Sequence, residues 1–376
     1  MIRVLVLGAN SVFITRLLQR LDPQLPLQLI LAGRNLASLR CLRAKLAQRS
    51  ISIVQIDLSS ADWRSQVSTI QPDLCINAAG PYSYQGQQSF ALARHCCDIQ
   101  SHYFDLADNA EYVKQFAPNL DAAAKQAGVA LISGASSVPA LSCAVIEHYA
   151  RLFDRLTAVD YGICPGNRTQ RGHATVASIL NYCGQPIVSA EGSRPCCRYG
   201  WQDVRRYNFN NALGKRWLAN CEIPDVHLFA ERFPTIERLR FQAGLELSFL
   251  HLGLWGLSWL VRVGLVKNLA QYSRWIWRIS TWFMRFGSDR GGMFMVLQGQ
   301  HKQQLKRITW QLTAHDDRGP EVPTIALELA IEQCLAGKLT PGARPCMGLF
   351  TLDDFSAKAR ALGIECASGA LEVVDE

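Results

Sequence analysis

Residues 4–14 read Val4-Leu5-Val6-Leu7-Gly8-Ala9-Asn10-Ser11-Val12-Phe13-Ile14. The apolar residues before Gly8 predict a buried strand, and the pattern after Ser11 predicts a helix. A strand that enters a helix through a glycine turn is where a doubly wound α/β domain holds the pyrophosphate of a dinucleotide. That turn typically has one glycine for the bend, one where the backbone meets the pyrophosphate and one where the helix packs on the strand. Only Gly8 is present here, with Ser11 and Ile14 at the later positions, so the sequence indicates the fold more strongly than the cofactor.

Length, charge and cysteine content limit the class of protein. A chain of 376 residues exceeds one compact core and predicts two domains. The net charge of +8 favours anionic cofactors, phosphates or lipid head groups, but it fits simple solubility equally well. The thirteen cysteines form no Cys-x-x-Cys pair, so we expect buried thiols in a reducing compartment. The first residues already form a strand pattern that leaves no room for a signal peptide, and we expect a cytoplasmic protein without metal or nucleic acid.

Short apolar segments alternate with helical patterns in the first part of the chain. Predicted strands cover 4–7, 27–31, 51–56, 74–78 and 129–133, and a predicted helix covers 36–48. Strands separated by helices imply a parallel sheet with right-handed crossovers. Residues 1–150 are therefore predicted to form a doubly wound α/β domain of the Rossmann type.

Longer strand patterns follow. Predicted strands cover 157–163, 237–246, 293–299 and 306–314, and a predicted helix covers 174–183. This pattern predicts a second, α+β domain over 151–340 with an antiparallel sheet, for substrate binding or dimerisation. The tail, 341–376, carries a predicted helix over 353–362 and is expected to pack back on the core.

Two predicted strand ends carry candidate ligands for the adenosine half of a dinucleotide. Gly33-Arg34 follows the second strand, where an acidic residue would bind the ribose of NAD and an arginine would accept the 2′-phosphate of NADP. Arg34 therefore favours NADP over NAD, unless it is a solvated loop residue. Asp57-Leu58 follows the third strand and would flank the adenine, or alternatively provide a helix cap and a core contact.

Three further loops contain small or polar residues. The run Asn77-Ala78-Ala79-Gly80-Pro81-Tyr82 would let a ribose and a nicotinamide lie close to the backbone. In the loop at 103–108, Asp105 would cap the next helix while Asp108 faces the cleft, although capping alone would explain both. The hydroxyl-rich turn at 133–139 would lie near the nicotinamide or an anionic substrate.

No spacing of residues in the sequence identifies which side chain would donate the proton. Hydride transfer to an imine or carbonyl needs a proton donor near the nicotinamide, but it needs neither a nucleophile nor a metal. The chain has no Tyr-x-x-x-Lys pair, and the candidates are Tyr82, Tyr103, Asp108 and His173, each of which has a structural alternative. Arg168 and Arg171 would clamp a substrate carboxylate, or alternatively lie in a solvated loop.

The segment 245–286 suggests contact with a membrane surface. Residues 245–266 are mostly apolar, but Glu246 and Arg262 interrupt them and the remaining run is too short to span a bilayer. In 272–286, Arg274, Arg278 and Arg285 share one helical stripe beside an aromatic face. Such a helix is typical of a membrane interface, although a buried helical hairpin or a homodimer interface explains it as well.

The loop sequences together resemble the saccharopine dehydrogenase-like family. The resemblance rests on Val-Leu-Gly-Ala (6–9), Ala-Gly-Arg-Asn (32–35), Asn-Ala-Ala-Gly-Pro-Tyr (77–82), His-Tyr-Phe-Asp-Leu-Ala-Asp (102–108) and Ser-Gly-Ala-Ser-Ser-Val-Pro (133–139). It extends to 165–168 and 286–292 and so covers nearly the whole chain. It implies a Rossmann domain, an inserted α+β domain and NAD(P)-dependent imine or amino-acid chemistry. The residues that would line the cofactor are Gly8, Asn10, Ser11, Val12, Phe13, Gly33, Arg34, Asp57, Leu58, Ala78, Ala79 and Gly80.

Two hypotheses follow from the sequence. The first is an NADP-dependent oxidoreductase that acts on a small imine, amine or carbonyl substrate, including a lipophilic one taken from a membrane surface. The second is a non-catalytic Rossmann scaffold or membrane-surface binding protein whose pyrophosphate site is degraded, which Ile14 favours.

Overall fold

The computed structural model describes residues 1–46, 50–191, 194–209 and 213–374. Contacts divide the chain into two compact units. The first consists of Met1–Leu141 and Glu321–Phe350, and the second of Ser142–Pro320 and Thr351–Glu376. This division differs from the predicted boundaries at 150 and 340, because the chain returns to the first unit before its C-terminal end.

The N-terminal stretch alternates strands and helices. Its elements are β1 (Ile2–Leu7), α1 (Val12–Arg20), β2 (Leu27–Gly33), α2 (Leu36–Ala44), β3 (Ile51–Gln55), α3 (Trp63–Ile70), β4 (Leu74–Asn77), α4 (Ala91–Asp98), β5 (His102–Asp105), α5 (Ala110–Ala127) and β6 (Ala130–Ser133). The predicted strands all appear within two residues of their predicted ends. The predicted helix at 36–48 ends earlier, at Ala44, and residues 47–49 lie outside the described part of the chain.

The remaining stretch contains the second unit and the return to the first. Its elements are α6 (Ser142–Ala150), β7 (Arg155–Cys164), α7 (His173–Tyr182), β8 (Pro186–Glu191), β9 (Arg194–Tyr199), β10 (Arg205–Asn208), β11 (Lys215–Asn220), α8 (Asp225–Arg232), β12 (Arg238–Ala243), α9 (Ser248–Arg262), α10 (Ser273–Trp282), β13 (Gly291–His301), β14 (Gln304–Ala314), α11 (Ile325–Leu335), β15 (Gly342–Pro345), α12 (Leu352–Ala361), β16 (Glu365–Ser368) and β17 (Glu372–Val373).

The first unit is built on a seven-stranded parallel sheet. Its order is β15-β6-β5-β4-β1-β2-β3, so the chain winds outward in both directions from β1 and β4. Leu5, Leu7 and Ile14 are among its fully buried side chains. The predicted doubly wound α/β fold is confirmed.

The second unit is built on a ten-stranded, mostly antiparallel sheet. Its main path is β10-β11-β12-β7-β13-β14-β16, with β17 beside β14 and the β8–β9 hairpin beside β12. The prediction of an antiparallel strand at 237–246 is wrong in one respect, because β12 runs parallel to β7. The connection between these two strands contains α7, α8 and four strands, which is long enough for the crossover that parallel pairing needs.

The segment at 245–286 forms two helices. The continuous helix predicted over 272–286 is shorter, since α10 is flanked by 3₁₀ turns at Leu269–Tyr272 and Phe283–Arg285. Among the helices of the described residues, none has the length and apolar content needed to cross a bilayer.

Candidate functional site

The turn after β1 and the loop after β4 meet at the carboxyl edge of the parallel sheet, where the strand order reverses. Gly8 has a φ of +73°. A Cβ placed on it would lie 2.6 Å from both the carbonyl carbon and oxygen of Ala78, and 2.7 Å from the amide nitrogen of Ala79. Backbone atoms cannot yield at such distances, so only glycine fits. The reversal point of a doubly wound sheet is where such folds bind nucleotides, and this close turn is the first element of a candidate site.

The N-terminus of α1 faces the same edge. Ser11 caps the helix, since its Oγ accepts a hydrogen bond from the Ile14 amide at 3.3 Å. The hydroxyl keeps its proton, so it can still donate to an anion. Val12 and Phe13 are the first two helical residues, and their amides precede the first intrahelical bond. The Ile14 side chain is fully buried in the first unit, so it does not project into solvent over the turn.

Arg34 and Asp57 lie at the carboxyl ends of neighbouring strands, β2 and β3. The Arg34 side chain is exposed, and its backbone oxygen accepts a hydrogen bond from Gln55 at 3.0 Å. The Asp57 carboxylate accepts bonds from the Ser59 amide at 3.0 Å and the Ser59 hydroxyl at 2.7 Å. These bonds lower the pKa of Asp57, and the positive charge of Arg34 contributes to the lowering. The two candidates are therefore near each other, with the guanidinium free to reach solvent.

The remaining adenosine-side candidates lie at the same edge. A Cβ on Gly33 would lie 3.9 Å from the side-chain nitrogen (Nδ2) of Asn10, which places the Asn10 side chain beside the end of β2. Asn10 is exposed and Leu58 is half-buried. The first unit thus brings the turns after β1, β2 and β3 together.

A buried carboxyl joins the ends of β5 and β6. Asp105 is fully buried, and its Oδ1 accepts bonds from the Gly134 amide at 2.8 Å, the Ala107 amide at 3.0 Å and the Ser133 hydroxyl at 2.9 Å. Burial raises the pKa of Asp105 to about 6, although these bonds oppose the rise. The prediction that Asp105 caps the following helix is wrong, because Asn109 caps α5 by accepting from the Tyr112 amide at 2.9 Å.

The network continues to the loop after β4. Tyr103 donates its hydroxyl to Asp105 at 3.0 Å and accepts from the Asn77 side chain at 3.0 Å. Asn77 in turn accepts from the Ala79 amide at 3.1 Å. Asp105, Tyr103 and Asn77 therefore form a buried chain that fixes the loop against which Gly8 packs. The sequence placed Asn77 and Asp105 in candidate loops, but it did not predict the contacts between these loops, because Asn77–Tyr103 and Asp105–Ser133 are 26 and 28 positions apart.

The four predicted proton donors do not share one environment. Tyr103 is fully buried, and burial raises its pKa well above the usual value. The Tyr82 hydroxyl donates to the Asn77 backbone oxygen at 2.7 Å, and burial likewise raises the pKa of Tyr82. Asp108 is exposed at the end of the loop after β5. His173 belongs to the second unit, where its Nε2 lies 3.2 Å from the Ser273 hydroxyl.

Within the second unit, two loops close around Glu246. Its carboxylate accepts bonds from the Asn167 amide at 2.6 Å and from the Ser288 amide at 2.9 Å, and it forms an ion pair with Arg216 at 3.0 Å. Burial tends to raise the pKa of Glu246, but the two amides, the Ser288 hydroxyl and Arg216 outweigh burial and lower it. The loops at 165–168 and 286–292, which carried the family resemblance, are therefore held by one carboxylate.

The two predicted substrate arginines have different roles in this cluster. Arg171 donates to the backbone oxygen of Asn167 at 2.9 Å and to its side-chain oxygen at 3.1 Å. It thus contributes to holding the loop. Arg168 is exposed, and its amide donates to the Ser288 oxygen at 2.9 Å.

The first unit matches a known family. Residues 4–132 match the model described as "Saccharopine dehydrogenase NADP binding domain". This stretch of the first unit is therefore similar to the NADP-binding domain of that family. The predicted resemblance is therefore confirmed, and the match supports an NAD(P)-dependent oxidoreductase. In the described part of the chain, no group of three or more His, Cys, Asp or Glu side chains is placed to hold a metal.

The chain is similar to solved structures. Apo saccharopine dehydrogenase (L-Glu forming) from Saccharomyces cerevisiae is 11% identical, with 98% of this chain and 99% of that chain covered and a TM-score of 0.66. A meso-DAPDH mutant from Clostridium tetani E88 is 12% identical over 96% of this chain and 99% of that chain, with a TM-score of 0.46. No curated protein matches the sequence. The similarity to the yeast structure shows the fold over nearly the full length of both chains.

Proposed function

We propose that the protein is an NADP-dependent oxidoreductase that acts on a small imine, amine or carbonyl compound. The observation that carries the proposal is the close packing of Gly8 on the Ala78–Ala79 backbone, because it brings the turn after β1 and the loop after β4 together where the strand order of the sheet reverses. A bound nicotinamide dinucleotide would supply or take up a hydride. The Gly8 turn and the amides of Val12 and Phe13 would hold its pyrophosphate, with the Ser11 hydroxyl as a further donor.

The preference for NADP over NAD rests on Arg34. An exposed guanidinium at the end of β2 would pair with a 2′-phosphate through two parallel hydrogen bonds. Asp57 lies close enough to interact with Arg34, and the Arg34 charge lowers its pKa, so the arginine also has a carboxylate neighbour. A phosphate would compete with that carboxylate for the same cation.

The loop after β4 would carry the nicotinamide half. Ala78 and Gly80 are half-buried and Ala79 is exposed, so small side chains leave room beside the backbone. Tyr103 lies beneath this loop and is proposed to position it through Asn77. Of the candidate donors in the first unit, we favour Asp108, since the Tyr103 hydroxyl donates to Asp105 and the Tyr82 hydroxyl donates to the Asn77 backbone oxygen. Arg168 is exposed and remains the proposed contact for a substrate carboxylate.

A reducing compartment such as the cytoplasm fits this proposal. None of the twelve cysteines whose state the structure describes forms a disulfide. Buried thiols of this kind are stable where disulfides do not form.

NADPH binding to the purified protein tests the proposal, with NADH as the comparison ligand. Calorimetry should show micromolar binding of NADPH and weaker binding of NADH, and Gly8→Ala should abolish both. The matched control is Gly128→Ala, which has a φ of +72° in the same unit but open space around the new Cβ. If the folded wild-type protein binds neither dinucleotide, the oxidoreductase proposal fails and the non-catalytic scaffold is favoured.

A further inference from the structure

Exposed apolar side chains are concentrated in one segment of the second unit. Sixteen large hydrophobic residues of the described chain are exposed, and twelve of them lie between Phe249 and Phe286. Trp275 is 67% exposed and Trp282 is 68% exposed. Exposed apolar side chains concentrated in this way indicate a contact with a partner or a membrane. We call residues 249–286 the helical surface segment.

The apolar side chains are exposed because each helix already uses its other face. In α9, His251, Leu254, Ser258 and Val261 recur at helical spacing and are buried. In α10, Ile276 packs against the apolar cluster that contains Leu254 and Val261, and the Trp277 indole donates to the Arg171 backbone oxygen at 3.3 Å. The outward stripe of Trp275, Ile279, Trp282 and Phe286 is therefore additional to the face that holds α10 in place. This excludes the buried helical hairpin that the sequence left open.

The charged side chains of the helical surface segment are all positive. Residues 247–288 contain no Asp or Glu, but they contain four arginines and one lysine. Arg274, Arg278 and Arg285 are exposed, and the ion pairs formed by the described residues do not include them. Arg278 lies 6.0 Å from the Trp275 ring centre, so cation and indole occupy the same surface.

We propose that the helical surface segment binds the surface of an anionic lipid bilayer. Tryptophans prefer the interface between head groups and acyl chains, where the ring is apolar and the indole nitrogen stays hydrated. Arginines beside them pair with phosphate and carboxylate groups of anionic lipids. A helix with both features lies in the plane of the interface, and α10 has this arrangement over its whole length.

A second copy of the chain fits this surface less well. A two-fold dimer buries the same surface of both partners, so the arginines of both copies would lie in one interface. No carboxylate within residues 247–288 is available to neutralise them. The aliphatic members of the surface, such as Leu260 and Leu265, likewise give no reason to expect a nucleic acid.

Vesicle flotation tests the proposal with the full-length protein. Phosphatidylcholine vesicles with and without phosphatidylserine are the probes. The wild type should float with the anionic vesicles and much less with the neutral ones. Arg274→Gln, Arg278→Gln and Arg285→Gln combined should weaken binding about 100-fold, since each cation near an anionic surface contributes about one factor of five. Trp275→Ser with Trp282→Ser should weaken it by roughly tenfold or more.

Matched control variants distinguish the effect of this surface on vesicle binding from the effects of overall charge and hydrophobicity. Lys215→Gln, Lys302→Gln and Lys338→Gln remove three exposed cations elsewhere, and Leu305→Ser removes an exposed apolar side chain of the second unit. These variants should float like the wild type. Wild-type protein that stays with neither vesicle type would overturn the proposal. A concentration-dependent dimer, lost in the tryptophan variant without vesicles, would assign the surface to a second copy instead.

Discussion

Gly8 approaches Ala78 so closely that a Cβ on Gly8 would lie 2.6 Å from the Ala78 carbonyl. Gly8→Ala therefore forces the loop after β4 away from the turn after β1, in addition to straining a positive φ. Backbone clashes of this size are among the more costly substitutions, and we expect a loss of about 3 kcal/mol or more in the free energy of unfolding. Urea denaturation measures it.

The control for this prediction is Gly128→Ala. Its φ of +72° is almost the same as that of Gly8, but no atom lies within 4 Å of the added Cβ. It should lose only about 1 kcal/mol, from backbone strain alone. Equal losses in the two variants would show that the close approach has no energetic effect.

Arg34→Ala tests the cofactor preference. If the guanidinium meets the 2′-phosphate, NADPH affinity should fall by roughly tenfold to a hundredfold, the size of a lost charge-assisted hydrogen-bond pair. NADH affinity should change little. Arg40→Ala removes a second exposed arginine, from α2, and should affect neither ligand. Parallel titrations decide the matter, and an equal loss of NADPH and NADH binding would contradict the assignment of Arg34.

Local sequence signals predicted five of the seven strands of the first unit. The apolar run before Gly8 and the cap at Ser11 are features of adjacent residues, and both appear in the structure as β1 and the start of α1. The sheet order of the doubly wound fold then follows from repeated crossovers. The sequence did not show where the branched Ile14 side chain lies, and in the structure it is buried in the core of the first unit.

Non-local pairing explains what the sequence did not reveal. Gly342–Pro345 has neither an apolar run nor β-branched residues, yet it forms β15 beside β6, more than two hundred residues earlier. In the sequence, Asp105 is one of two carboxylates in the loop at 103–108. Only the folded structure brings Ser133 and Gly134 into contact with it. The cluster around Glu246 likewise joins residues that are 79 and 42 positions away.

Asp105→Ala should destabilise the first unit. The substitution leaves two buried amides and two buried hydroxyls without their acceptor, and we expect a loss of about 3 kcal/mol in the free energy of unfolding. Asp105→Asn keeps one acceptor oxygen and should lose less. Asp98→Asn, at an exposed carboxyl of α4, is the control and should change stability by less than about 0.5 kcal/mol. A wild-type unfolding curve for Asp105→Ala would show that the network does not stabilise the loop.

Two buried carboxyls should make stability fall as pH rises. Burial raises the pKa of Asp105 to about 6 and that of Asp225, which bonds to Ser142 and Tyr161, to about 7. A raised folded pKa gives stability that is fully present below the unfolded pKa of about 4 and is lost as pH rises through the folded value. Asp105→Asn and Asp225→Asn remove that slope.

The measurement is urea denaturation at several pH values between about 4 and 8. The free energy of unfolding of each variant, minus that of the wild type, should increase with pH. The increase should continue to about pH 6 for Asp105→Asn and to about pH 7 for Asp225→Asn. Beyond these values each difference should become constant. Differences that do not vary with pH would mean that the two carboxyls titrate normally.

Glu246→Gln tests the cluster of the second unit. The carboxylate is mostly buried and pairs with Arg216, whose side chain is 9% exposed, so the glutamine variant leaves a nearly buried cation without its partner. We expect a loss of about 2 kcal/mol, since the Asn167 and Ser288 amides can keep a neutral acceptor. Glu237→Gln breaks the exposed pair with Arg155 and should lose less than about 0.5 kcal/mol.

Because the pKa of Glu246 is lowered, its stabilisation is present above the unfolded pKa of about 4.3 and is lost as pH falls through the folded value. The Glu246→Gln loss should therefore shrink in acid, and a loss that persists unchanged at low pH would contradict the ion pair.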